Sequence, residues 1–181
     1  MNAPLLALAL ALSSAPPDSD PSMRAEQLVR AAFPLADRVD ARDVVLTDEL
    51  VARIEGLAHA RVKERLVTFY AARRGDEVVG WLVLHQHVVR TKRETISIAF
   101  EPDGRIRKVS VLAFLEPPEY RPPERWLAQL DGKGPADRLT VGQDLAPISG
   151  ATLSARGIAE ESRWLLQALK LAALDRAGGK P

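Results

Sequence analysis

The sequence predicts an α+β domain, an antiparallel sheet of two β-hairpins covered by helices. Three observations carry that expectation. Two pairs of short β-branched and aliphatic runs are joined by Gly75-Asp76 and by Pro102-Asp103-Gly104, and the Asp103-Gly104 step supplies the positive-φ position of a tight turn. A stripe of Ile158, Ser162, Leu165, Leu166 and Leu169 recurs at helical spacing near the C-terminus. The 181 residues suit one core better than two.

The first residues read as a leader. Leu5 to Leu12 is a Leu/Ala run too short to span a bilayer, and Ser13-Ser14-Ala15 supplies small residues for cleavage. This layout predicts export to the periplasm or to the outer face of the inner membrane. Pro16 disfavours a cut after Ala15, and the n-region has no Lys or Arg, so an uncleaved anchor and cleavage after Ser13 stay open. A frayed Ala/Leu helix start is the plain alternative. Residues 1–21 are therefore assigned to leader and linker, 22–174 to the domain and 175–181 to a Gly- and charge-rich disordered tail.

Along the domain, Leu28, Val29, Ala32 and Phe33 place a short helix over 23–33, stopped by Pro34. Thr47 is the N-cap of a second helix running to about residue 60, with Leu50, Ile54 and Leu57 on its buried face. The strand runs are 66–71 with 78–84 and 95–100 with 106–114, about four strands in all. Pro117, Pro118, Pro122 and Pro123 make 116–124 a stiff loop, followed by one helical turn over 126–130. The last helix starts after Thr152 and reaches about residue 171.

Composition narrows the chemistry. Lys plus Arg (25) and Asp plus Glu (24) nearly cancel and are interspersed, which argues against nucleic acid as a partner. With no cysteine, thiolate metal sites, iron–sulfur clusters and cysteine nucleophiles are excluded. No nucleophile elbow supports Ser-His-Asp catalysis. Redox chemistry in such a chain requires a cofactor.

The segment with a specific chemical reading runs from Gln143 through Asp144, Ala146, Ser149, Gly150, Ala151, Thr152, Leu153 and Ser154 to Arg156. A small-residue turn leads directly into a helix whose free N–H groups and positive dipole end favour a phosphate. Gly150 and Ala151 admit close approach, and Thr152 offers a hydroxyl. On local physics alone, Ser149, Thr152 or Ser154 acting as an ordinary helix cap competes with the anion-site reading.

Ser149-Gly150-Ala151-Thr152-Leu153-Ser154 resembles the flavinylation motif of the FMN-binding domain family, found in subunits of the sodium-translocating NADH:quinone oxidoreductase and Rnf electron-transport complexes. The likeness extends over about 66–169: hairpins, an Asp-Gly turn, a Glu-Pro-containing loop, the motif and a helix. It implies an FMN-binding-domain-like fold, FMN joined by a flavin transferase through a phosphoester to Thr152, and electron transfer without a catalytic acid or base. The family usually has an aspartate six residues before the modified threonine. Here Ala146 stands there, and Asp144 is the nearest acid to take its place.

Leu115, Glu116, Pro118, Glu119 and Tyr120 on the stiff loop are the candidates to line the flavin ring, with Tyr120 able to stack on it or simply to pack the loop. Arg90, Lys92 and Arg93 read as a solvated strand end suited to steering an acidic redox partner, possible membrane-bound partners included. Trp81, Trp126 and Trp164 read as core or loop anchors. His85 and His87 share one strand face, but with no thiolate and no neighbouring acid they read as surface histidines, and no metal is assigned. Two rival functions remain: a cofactor-free partner-binding module, and a periplasmic metal-binding protein using His85 and His87.

Overall fold

A computed structural model describes residues 21–174. The expected leader and tail lie outside the described residues, except Pro21. That residue opens helix α1 (Pro21–Ala32), where a missing N–H costs nothing. Then follow β1 (Arg38–Val45), α2 (Asp48–Ala58), β2 (Leu66–Arg74), β3 (Glu77–Val88), β4 (Arg93–Phe100) and β5 (Ile106–Phe114). A 3₁₀ turn (Pro118–Tyr120), α3 (Glu124–Leu127) with its 3₁₀ extension (Ala128–Leu130), and α4 (Thr152–Ala168) ending in a π-helical turn (Leu169–Leu174) complete the order. Among the described residues no helix is long and apolar enough to cross a membrane.

The α+β class and the antiparallel sheet hold, with both expected hairpins, β2-β3 and β4-β5, in place and one further strand, β1, added at the edge. Five strands form one meander, β1-β2-β3-β4-β5, every neighbour antiparallel. The sequence reading lacked β1 because Arg38, Asp40, Arg42 and Asp43 interrupt any apolar alternation, and an edge strand with little buried surface needs none. Both edges are occupied by other parts of the chain. Ile106 exchanges backbone bonds with Lys133 and Gly132 beside β5, Arg121 donates to the Val111 carbonyl, and Arg42 on β1 donates to the Ala173 carbonyl.

Strand alternation decides which helices cover which face. Phe69, Ala71, Trp81, Val83, Ile96, Ile98 and Phe100 point into the main core, shared with α2 and α4. Their neighbours Ala72, Leu82 and Ala99 point the opposite way, to Leu28, Val29 and Phe33 around α1. Gly80 belongs to the α1 side, and a Cβ there would overlap the Phe33 ring. The missing side chain is thus the seat that lets α1 dock, and the Arg107 guanidinium lies 5.1 Å from the same ring.

Thr47 caps α2 as expected, its hydroxyl accepting from the Leu50 N–H at 3.3 Å. Of the face expected for α2, Ile54 is buried and Leu50 is half-buried against the core, but Leu57 is 52 % exposed, and Val51 and Ala58 complete the buried face. One hundred degrees per residue carries Leu57 past the stripe once Val51 takes the inner position. The α4 stripe is buried at every named residue, and Trp81, Trp126 and Trp164 are core anchors.

Candidate functional site

Two features share α4. The first is its N-terminus, at the segment that suggested an anion site. Ala151 occupies the cap position and has no side chain to offer, and the first helical bond is Ala155 N–H to the Ala151 carbonyl. The competing reading, in which Ser149, Thr152 or Ser154 caps the helix, finds no side-chain cap bond here. Thr152 instead donates its hydroxyl proton back to the Ile148 carbonyl at 2.7 Å, closing the turn. The amides of Thr152, Leu153 and Ser154 therefore lack helical acceptors by geometry. Gly150 has φ of 82°, a left-handed conformation that L side chains rarely adopt. Ser149 and Gly150 are exposed, Thr152 is half-buried and Leu153 is exposed, while the Ser154 Oγ is buried with no hydrogen-bond partner among the described residues.

The loop before the motif is pinned. Trp126 Nε1 donates to the Ala146 carbonyl at 2.8 Å, and the Ala146 N–H donates to Gln129 at 2.7 Å. Asp144 accepts from the Leu139 and Thr140 N–H groups at 2.9 and 2.6 Å. Burial pushes its carboxyl up, but the Thr140 and Leu139 amides outweigh burial and hold it below the usual range. Asp144 thus buttresses the 139–144 loop, and its carboxylate is already committed.

The Pro-rich loop does reach the motif: the Pro118–Tyr120 turn packs on α4, with the Glu119 carbonyl 3.9 Å from where a Gly150 Cβ would be. Glu119 is exposed, and the Arg90 guanidinium lies 4.9 Å from the Tyr120 ring, covering one face. Leu115 and Pro118 are exposed. Glu116 is buried and turned to another task, accepting from the Thr91 and Lys92 N–H groups at 2.7 and 2.9 Å and so fixing the β3–β4 turn. That turn presents Arg90, Lys92 and Arg93 to solvent.

The Thr91 and Lys92 amides hold the Glu116 carboxyl below its usual 4.5. A lowered folded-state pKa adds stability that is present above the unfolded value and lost as pH falls through the folded one. Urea midpoints of the protein and of Glu116→Gln are expected to differ near neutrality and to converge as pH drops below about 4.5. A gap that stays constant across that window would rule out the charged form as the source.

The second feature overturns a sequence reading. His85 and His87 are buried, 4 and 5 % exposed, instead of lying on the surface. They continue the inward phase set by Trp81 and Val83 and point under α4. The acids that seemed missing come from elsewhere in the chain. Glu161 on α4, fully buried, lies 2.9 Å from His85 Nε2 through Oε2, and Glu94 on β4, opposite His87 in register, lies 3.0 Å from His87 Nε2.

Glu161 is well supplied with donors. Trp164 Nε1 donates to Oε2 and the half-exposed Lys63 ammonium to Oε1. Burial pushes the Glu161 carboxyl up, but hydrogen bonds from His85, Lys63 and Trp164 more than offset it and bring it down to about 2. The pair on the other side is poorer. His87 and Glu94 approach closely but off the direction of a hydrogen bond, so both ring nitrogens of His87 and both oxygens of Glu94 lack hydrogen-bond partners among the described residues. Gly157 lets α4 cross here, since a Cβ would be 3.2 Å from His87 Nε2. Gly157 is five residues past Thr152, about 7.5 Å along the helix.

Both acids carried a sequence signal. Glu161 lies three residues after Ile158 and four before Leu165, on the buried stripe, and Glu94 shares the phase of Ile96 and Ile98. Compared with known proteins, the chain matches no family model and no curated protein.

Proposed function

We propose that this protein is an FMN-carrying electron-transfer protein with the FMN-binding-domain-like fold, the flavin phosphoester-linked to Thr152. It acts on the outer side of the inner membrane as a carrier between redox partners. The observation that carries this reading is the setting of the motif it resembles: Ser149-Gly150-Ala151-Thr152 stands at the start of α4 with no side chain capping the helix. Amides of the first turn and the positive end of the dipole are then available to a phosphate. Gly150 keeps the approach open through its left-handed conformation, and the buried Ser154 Oγ, without a partner among the described residues, is a further polar group in the same turn of helix. When bound, FMN would supply one- and two-electron chemistry that no side chain of this cysteine-free chain provides.

The chain's own residues do the positioning. The Ile148 carbonyl holds the Thr152 hydroxyl proton, orienting the oxygen for a flavin transferase. Trp126 and Gln129 fix the backbone at Ala146 on the approach to the turn. Glu119 and Tyr120 sit on the turn that packs beside the motif, and Arg90, Lys92 and Arg93 favour an acidic redox partner.

The test uses protein exported from a host that has a flavin transferase. After denaturation and electrophoresis, flavin fluorescence is expected to remain on the band and to vanish in Thr152→Ala. A band that is dark although the native protein is yellow would place FMN in a non-covalent site, consistent with Ala146 at the aspartate position. Colourless native protein would overturn the reading in favour of a cofactor-free binding module.

A further inference from the structure

We propose that His85, His87, Glu161 and Glu94 form a buried site for one divalent first-row metal ion, best suited to zinc. One ligand atom each from His85, His87 and Glu161 lies within 4.8 Å of the others, so modest side-chain rotations bring all three to the roughly 2.0–2.2 Å that zinc requires. Glu94, 3.0 Å from His87 Nε2, is the candidate for a fourth ligand.

Three independent features point to a ligand. The orphaned His87 nitrogens and Glu94 oxygens are fully desolvated polar atoms, and burying such groups without partners is costly. A metal ion between them would satisfy both residues at once. Charge gives the second argument: Glu94 and Glu161 are two buried carboxylates, while Lys63, the cation paired with Glu161, is half-exposed and bound to the Glu161 oxygen that does not face His85. A dication neutralises what Lys63 does not. The outer partners are the third. Trp164 Nε1 donates to Glu161 and so orients a ligand carboxylate, while Glu64 Oε2 lies 3.8 Å from His85 Nδ1, beyond hydrogen-bond distance. Two imidazoles with carboxylates and no thiolate favour zinc over softer copper(I). The site does not depend on the flavin reading, because its ligands lie on α4 and on the strands beneath it and none belongs to the turn that precedes the helix.

The full chain would be stripped with chelator and dialysed against Zn²⁺, with Co²⁺ as a spectroscopic probe. The expected result is one ion per chain, visible Co²⁺ bands of four-coordinate nitrogen–oxygen ligation, and uptake retained in His59→Ala. Affinity should fall by roughly 10–100-fold or more in His87→Asn and Glu94→Gln, with flavin content at Thr152 unchanged. Failure of the wild-type chain to take up stoichiometric metal, or uptake that survives both cluster variants, would overturn the site. A variant that does not fold leaves a direct test on the wild type: Zn²⁺ should shift the His85 and His87 ring resonances. A shift confined to His59 would overturn the proposal equally.

Discussion

Glu161→Ala is expected to destabilise the metal-free protein by about 3–5 kcal/mol, the range for removing one member of a buried ionic cluster. Its carboxylate is the shared acceptor for Trp164 Nε1, His85 Nε2 and Lys63 Nζ. Lys63 is half-exposed and can turn to water, so most of the loss comes from the Trp164 and His85 groups left buried without an acceptor. For a chain of this size that corresponds to a melting temperature lower by on the order of 10 °C. Glu161→Gln keeps a carbonyl for Trp164 and should cost roughly 1–2 kcal/mol. Urea unfolding in the presence of chelator separates the two. Equal losses in Ala and Gln would mean that the charge, and not the acceptor, carries the stability.

Gly80→Ala is the other large effect. The backbone tolerates alanine there, because Gly80 lies in a strand and is not among the positive-φ glycines. The cost comes from the Phe33 ring, which must leave the space the new methyl takes. Overpacking of this kind costs about 1–3 kcal/mol. The loss should depend on Phe33. In a Phe33→Ala background, itself destabilised by about 3–5 kcal/mol, the same change at Gly80 should be nearly neutral. Unfolding midpoints of the four proteins test this, and additive losses would show that Gly80 is needed for something other than seating α1.

The coarse fold was legible because its signals are local. Alternation in β2 to β5, the Asp103-Gly104 turn, the Thr47 cap and the Ile158 to Leu169 stripe each depend on neighbours within a few residues. What escaped is what tertiary contact decides. Strand β1 is held by pairing with β2 and by Arg42 reaching the Ala173 carbonyl, neither of which leaves an apolar pattern. His85 and His87 looked solvent-facing because their carboxylates lie on β4 and α4, the farther one 76 residues along the chain. Reading the phase of Trp81 and Val83 forward along β3 would have placed both rings inside. At the motif, sequence located the helix start, but the fate of each hydroxyl had to come from geometry. Thr152 bonds backwards to Ile148, and the Ser154 Oγ finds no hydrogen-bond partner among the described residues.

The way the sheet ends has a consequence for handling the protein. A meander has two outer strands, each a template on which a second chain can add its own backbone, the usual start of fibrillar aggregation. Here β5 is guarded at Ile106 by Gly132 and Lys133 and at Val111 by Arg121, while β1 carries Arg38, Asp40, Arg42 and Asp43 along its length. Backbone already bonded cannot recruit a foreign strand, and a charged border resists being stacked against its own copy.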